Sequence, residues 1–169
     1  MSLILIGGGS RSGKSRHAIS MSRQFGGKIA FIATARAEDD EMRERIRSHR
    51  QERGEEFITF EEPVDVASRI LAEEGRFDTF VVDCLTLWLS NHLLAGGTDL
   101  AQQRRRLIGA AAGVRARVLL VTNEVGCGIV PENALARQFR DLAGSLNQDA
   151  AAAAIEVYWM VFGIPLRLK

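Results

Sequence analysis

Residues 7–18 read GGGSRSGKSRHA, and within them Gly8, Gly13, Lys14 and Ser15 reproduce the spacing G-x-x-x-x-G-K-[ST]. That spacing suits phosphate. The backbone N–H groups of Gly8, Gly9, Ser10, Arg11, Ser12 and Gly13 can line an anion-binding concavity, Lys14 neutralises charge, and the Ser15 hydroxyl meets Mg2+. An apolar run at 3–7 precedes the loop and a helical stretch follows it, which is the strand–loop–helix context the pattern requires. The expected ligand is therefore a nucleotide, with Lys14 reaching its β- and γ-phosphates and the helix N-terminus adding its dipole.

Such a loop needs a carboxylate on the metal side. TFVVDC at 79–84 places Asp83 at the end of an apolar run, where a side chain emerges at the carboxyl edge of a sheet. Asp83 there reads as a metal-side group, and an Asp in that position also serves as an ordinary helix cap. The later run RVLLVTNE ends with Glu124 where a guanine-reading N-K-x-D element would carry lysine, and no aspartate follows two residues on. An ordinary GTPase is disfavoured.

A third group of chemically capable residues lies in DDEMRERIRSHRQER, 39–53. Read as a helix, it puts Met42, Ile46 and His49 on one stripe, with Arg45 and Arg53 four residues either side of His49. Two guanidiniums can hold polyphosphate while a neutral imidazole attacks phosphorus. The same spacing also fits a boundary histidine on a solvated face, and His17 and His92 carry the same two readings.

The elements that must position these groups follow from the apolar pattern. Runs at 3–7, 29–34, 80–84, 117–124 and 157–164 read as buried strands alternating with helical stretches at 12–25, 39–53, 64–75, 99–113 and 131–155. That order predicts an α/β fold, a mostly parallel sheet with helices on both faces. Gly75 is the expected C-cap of the third helix and Pro131 the expected first-turn residue of the last. CLTLWLSNHLL, after Asp83, reads as an apolar loop around Trp88 that either covers a bulky substrate or belongs to the core.

With 169 residues, 46% hydrophobic and 25% charged, and no linker or repeat, the chain is expected to form one domain, 1–169. A net charge of +1 gives no basic field for nucleic acid. SLILIGGG is too short for a signal peptide or a membrane span, and Cys84 and Cys127 suit free thiols in the cytoplasm.

GGSRSGKSRHA, IATARAEDDEMRERIRSHRQER, VTNEVGCGIVPENALARQFRDLAGSLNQ and the closing GIPLRLK together resemble the bifunctional adenosylcobinamide kinase / adenosylcobinamide-phosphate guanylyltransferase family of cobalamin biosynthesis. The resemblance runs from end to end. It implies a P-loop NTPase-like fold and two reactions: phosphorylation of adenosylcobinamide, then transfer of GMP from GTP through a histidine to that phosphate, giving adenosyl-GDP-cobinamide. Matched residue by residue, it makes His49 the nucleophile and Lys14 catalytic. Gly8 to Ser15 hold phosphates, and Thr34, Ala35 and Arg36 line the nucleotide. Arg50, Gln51, Glu52 and Arg53 follow the nucleophile, and Glu61 or Glu62 together with Asp83 complete the site.

The resemblance further implies Mg2+ at Ser15 and Asp83, GTP and ATP as substrates, and a homo-oligomer, a trimer with sites between subunits being one arrangement. Departures are few. Ser48 stands before His49 where some members carry a second histidine, and NQDAAAAA replaces NQ followed by a basic residue. Two rival readings predict different chemistry: a P-loop small-molecule kinase without nucleotidyl transfer, and a non-catalytic GTP-binding regulatory module.

Overall fold

The computed structural model describes residues 2–36, 40, 43, 44, 47, 53–97 and 99–169. Seven strands, β1 (Ser2–Gly8), β2 (Ile29–Ala33), β3 (Phe57–Glu61), β4 (Thr79–Asp83), β5 (Arg117–Val121), β6 (Glu156–Val161) and β7 (Ile164–Arg167), form one sheet in the order β3-β2-β4-β5-β1-β6-β7. All neighbours run parallel except the β6–β7 hairpin. Among the described residues the helices are α1 (Lys14–Phe25), α2 (Val66–Ala72), α3 (Leu85–Ala95), α4 (Leu100–Gly113) and α5 (Ala134–Ala153). None of these helices is long and apolar enough to cross a membrane.

The continuous apolar runs arise because the central strands are buried on both faces. Leu3 and Leu5, Ala30 and Ile32, Phe80 and Val82, and Val118 and Leu120 point into one core with α2, α3, α4 and α5. Their alternates Ile4 and Ile6, Ile29 and Phe31, Val81, and Leu119 and Val121 point into a second core with Ala18 and Ile19 of α1. Period-two alternation thus feeds two cores rather than a core and a solvated face.

The structure departs from the sequence expectation at five places. An edge strand, β3, was not anticipated, and the run at 157–164 is broken by a turn at Phe162–Gly163 into β6 and β7. CLTLWLSNHLL is not a loop but α3, whose Trp88 is 1% exposed; this is core and not a cover for substrate. Leu85, Thr86, Trp88, Leu89, Asn91 and His92 are all buried, so no amphipathic period announces this helix. α2 ends at Ala72, ahead of Gly75, and α5 starts at Ala134 because the Asn133 side chain accepts from Ala136 N, a stronger N-terminal signal than Pro131. The helix expected over 39–53 lies largely outside the described residues. Within it, Arg43 pairs with Asp40, and Arg47 Nη1 meets Glu44 Oε2 at 2.8 Å.

Candidate nucleotide site

The sheet's carboxyl edge gathers the glycine loop, the end of β4 and the end of β5. β1 stops at Gly8, and the chain turns through Arg11 (φ 53°) and Gly13 (φ 93°) into α1. A Cβ at Gly8 would lie 2.8 Å from both Met160 O and Ser12 Oγ, so the backbone approaches its neighbours more closely than any other residue allows. Ser12 N donates to Gly9 O at 3.3 Å, and Glu124 N, just past β5, donates to Gly8 O at 3.0 Å.

Lys14 is 7% exposed, and its ammonium donates to Gly9 O at 2.5 Å and to Ser12 Oγ at 3.4 Å. The cation therefore curls over the loop rather than reaching into solvent. Ser15 follows in the first turn of α1, half-buried, while Ser10 and Arg11 are exposed at the loop's rim.

Asp83 closes β4. β5 lies between β4 and β1, with Val121 paired to Ile6 on one side and to Asp83 on the other. The carboxylate's strand is thus two spacings, roughly 10 Å, from the strand that feeds the loop. Asp83 Oδ2 is buried with no hydrogen-bond partner. A buried carboxylate oxygen left unmatched beside a phosphate loop suits a hard cation. Mg2+ needs only one or two protein oxygens when phosphates supply others, and the Ser15 hydroxyl with Asp83 meets that requirement. When bound, the ion would neutralise phosphate charge; these residues would orient it.

Asp83 is positioned by Thr34, which is 0% exposed at the end of β2. Thr34 N donates to Asp83 O at 3.0 Å, and its hydroxyl donates to Cys84 O at 2.8 Å and accepts from Cys84 N at 2.7 Å. That hydroxyl is committed to the Cys84 backbone, so Thr34 does not offer it to a nucleotide. Asn91 Nδ2 of α3 in turn donates to Thr34 O at 2.8 Å and to Pro63 O at 2.9 Å. Burial, with help from the Asp83 charge, pushes the Cys84 thiol above its ordinary range, so it stays protonated.

The sequence reading missed the polar residues behind this edge. Thr122 Oγ1 donates to Asn147 Oδ1 at 2.7 Å, and Asn123 Nδ2 donates to Thr86 Oγ1 at 2.9 Å. The threonine–asparagine pair in VTNEV and the asparagine in LNQ were the available signals. His17 stands one turn past the loop with its ring 5.4 Å from Tyr158, and burial lowers its pKa.

Ala35 is half-buried and Arg36 exposed beyond β2, near the Asp83 edge. Glu61 ends β3, the sheet's far edge, four strands away from β1. Glu62 Oε1 accepts from Asp65 N at 2.9 Å and Val64 N at 3.3 Å, closing the turn into α2. Arg53 is 4% exposed, with its guanidinium 3.9 Å from the Phe31 ring centroid and its carbonyl accepting from Arg23 Nη2 at 2.7 Å. It packs against the α1 side of the sheet. His49, Arg50, Gln51 and Glu52, with Met42, Arg45 and Ile46 of the proposed stripe, lie outside the described residues.

Comparison with known proteins finds relatives over nearly the whole chain. A family model described as cobinamide kinase / cobinamide phosphate guanyltransferase matches residues 4–168. The chain is 40% identical over 181 residues to the bifunctional adenosylcobalamin biosynthesis protein CobU of Escherichia coli (strain K12), covering 99% of each. It is 41% identical over 166 residues to the bifunctional adenosylcobalamin biosynthesis protein CobP of Pseudomonas aeruginosa, covering 98% of this chain and 96% of that one. A Salmonella typhimurium protein, named as the E. coli one is, is 42% identical over 181 residues, covering 99% of each.

Proposed function

The chain belongs to the cobinamide kinase / cobinamide phosphate guanyltransferase family, and from that premise we propose that it phosphorylates adenosylcobinamide and then joins GMP to the phosphate. In the first step the corrinoid hydroxyl attacks the γ-phosphorus of GTP or ATP, and the nucleoside diphosphate leaves. In the second, His49 attacks the α-phosphorus of GTP and pyrophosphate leaves. The GMP then passes to adenosylcobinamide phosphate, giving adenosyl-GDP-cobinamide. A histidine carrier divides one displacement into two while its P–N bond keeps the transfer potential high.

The observation that carries this reading is the pairing of the Gly8–Ser15 loop with the unpartnered Asp83 Oδ2 two strands away. Gly8, Gly9, Ser10, Arg11, Ser12 and Gly13 bind the phosphates through backbone amides. Lys14 leaves Gly9 O to neutralise them, and Ser15 with Asp83 holds Mg2+. Thr34 and Asn91 fix the backbone that aims Asp83. The two steps address different phosphorus atoms, so the nucleotide, the His49 segment or both must shift between them. The remaining elements of the proposal are cytoplasmic location and assembly as a homo-oligomer, trimeric in one arrangement, with sites between subunits.

The test is chromatographic separation of the corrinoid products formed with Mg2+ and GTP. Wild type should give the phosphate and then the GDP derivative, whereas His49→Ala should stop at the phosphate. Phosphate alone from wild type would reduce the protein to a small-molecule kinase, and no product would leave a nucleotide-binding module.

A further inference from the structure

We propose that Phe162 is a stacking platform for the purine base of the nucleotide whose phosphates the 8–15 loop holds; this rests on the nucleotide-binding reading above. Phe162 and Gly163 form the two-residue turn between β6 and β7, with Val161 paired to Ile164. Both turn residues have positive φ, 51° and 82°. Such a turn favours asparagine, aspartate or glycine at its first position, because a side chain there meets the backbone. Here that position carries an aromatic that is 96% exposed. Among the described residues nothing compensates for either feature.

The turn is not remote. Gly163 N donates to Ser12 O at 3.1 Å, and a Cβ on Gly13 would lie 3.3 Å from Gly163 Cα. The hairpin tip is therefore built onto the phosphate loop, on one flank of β1. Asp83 stands on the other flank, beyond β5. A nucleotide with its metal-bound phosphates directed toward Asp83 has its base end toward β6 and β7, where, among the described residues, the one large exposed ring next to the loop is Phe162. Stacking uses the π-face common to all bases. It therefore serves GTP and ATP alike, in keeping with the missing guanine-reading lysine at Glu124.

Val161, Ile164, Leu166 and Leu168 are also exposed along the hairpin, so a second copy of the chain is the competing occupant of this face. Calorimetric titration of wild type, Phe162→Ala and Phe162→Asn with Mg2+ and either GTP or inorganic tripolyphosphate separates the two, with sedimentation velocity reporting the assembly. Both variants should bind GTP about tenfold more weakly, with tripolyphosphate affinity and assembly mass unchanged. Phe162→Asn should also melt above wild type, since asparagine suits the left-handed turn, which separates the loss of binding from damage to the fold. Unchanged GTP affinity in the variants overturns the proposal, as does parallel loss of GTP and tripolyphosphate. A change of mass without a nucleotide effect assigns the ring to a contact between copies and overturns it too. If wild type binds neither ligand, the nucleotide-binding reading fails first and takes this inference with it.

Discussion

Thr34 holds Cys84 at both ends of its backbone, its hydroxyl donating to the carbonyl at 2.8 Å and accepting from the amide at 2.7 Å. The two residues are 50 apart in sequence, and the contact ties the end of β2 to the residue that follows Asp83. Thr34→Val keeps the shape but leaves the buried Cys84 amide without its partner, while Cys84 O keeps Trp88 N. It should destabilise the fold by about 2 kcal/mol or more, measured by urea unfolding. It should also raise the Mg2+ concentration for half-maximal kinase activity, because the carboxylate is no longer aimed. Thr34→Ser should restore both; a Ser variant as impaired as Val would contradict the clasp.

Asp83 itself makes a sharper demand. Asp83→Asn removes the charge proposed to face Mg2+ while nearly preserving volume. Both phosphoryl and guanylyl transfer should fall by about 100-fold, the scale of losing one preorganised electrostatic group, with Mg2+ half-saturation displaced upward. Stability should hold or improve, since Oδ2 is buried without a partner. An Asp83→Asn protein with normal Mg2+ dependence would remove Asp83 from the site.

His92 predicts an acid limb in stability. Its pKa is lowered chiefly by burial beneath Trp88, with Arg36 acting in the same direction, while its contact to Val64 O and the Asp65 charge oppose the shift. With the folded value below the unfolded one, protons bind more readily to the unfolded chain in the window beneath the usual histidine range. Stability is therefore full above about pH 6.5 and is lost as pH falls below it. The melting temperature of wild type should drop between about pH 7.5 and about pH 5.5, and the drop should be smaller in His92→Gln. Equal drops in the two proteins would place the titration elsewhere.

How much of this was legible depended on whether function left a local pattern. Gly8, Gly13, Lys14 and Ser15 keep a fixed spacing within one segment, so the strand, turn and helix around them could be read directly. Asp83 was readable as the last residue of an apolar run, and it ends β4. Asn91 was not readable. Its grip on Thr34 and Pro63 joins three segments distant in sequence, and its helix carries leucines on its less buried face as well as its core face, so no period marked it. The turn at Phe162 was hidden for the opposite reason, since an aromatic occupies a place where asparagine would have signalled a hairpin and the surrounding apolar run read as one strand. Arg53 packs on Phe31, a contact between segments distant in sequence that no local spacing announces.

Guanylylation of His49 is read most directly by intact-protein mass spectrometry after incubation with Mg2+ and GTP, without any corrinoid. Wild type should gain the mass of one GMP, acid should remove it, and His49→Ala should gain nothing. Wild type that binds GTP yet acquires no adduct, or an adduct that persists in His49→Ala, would contradict guanylylation at this residue.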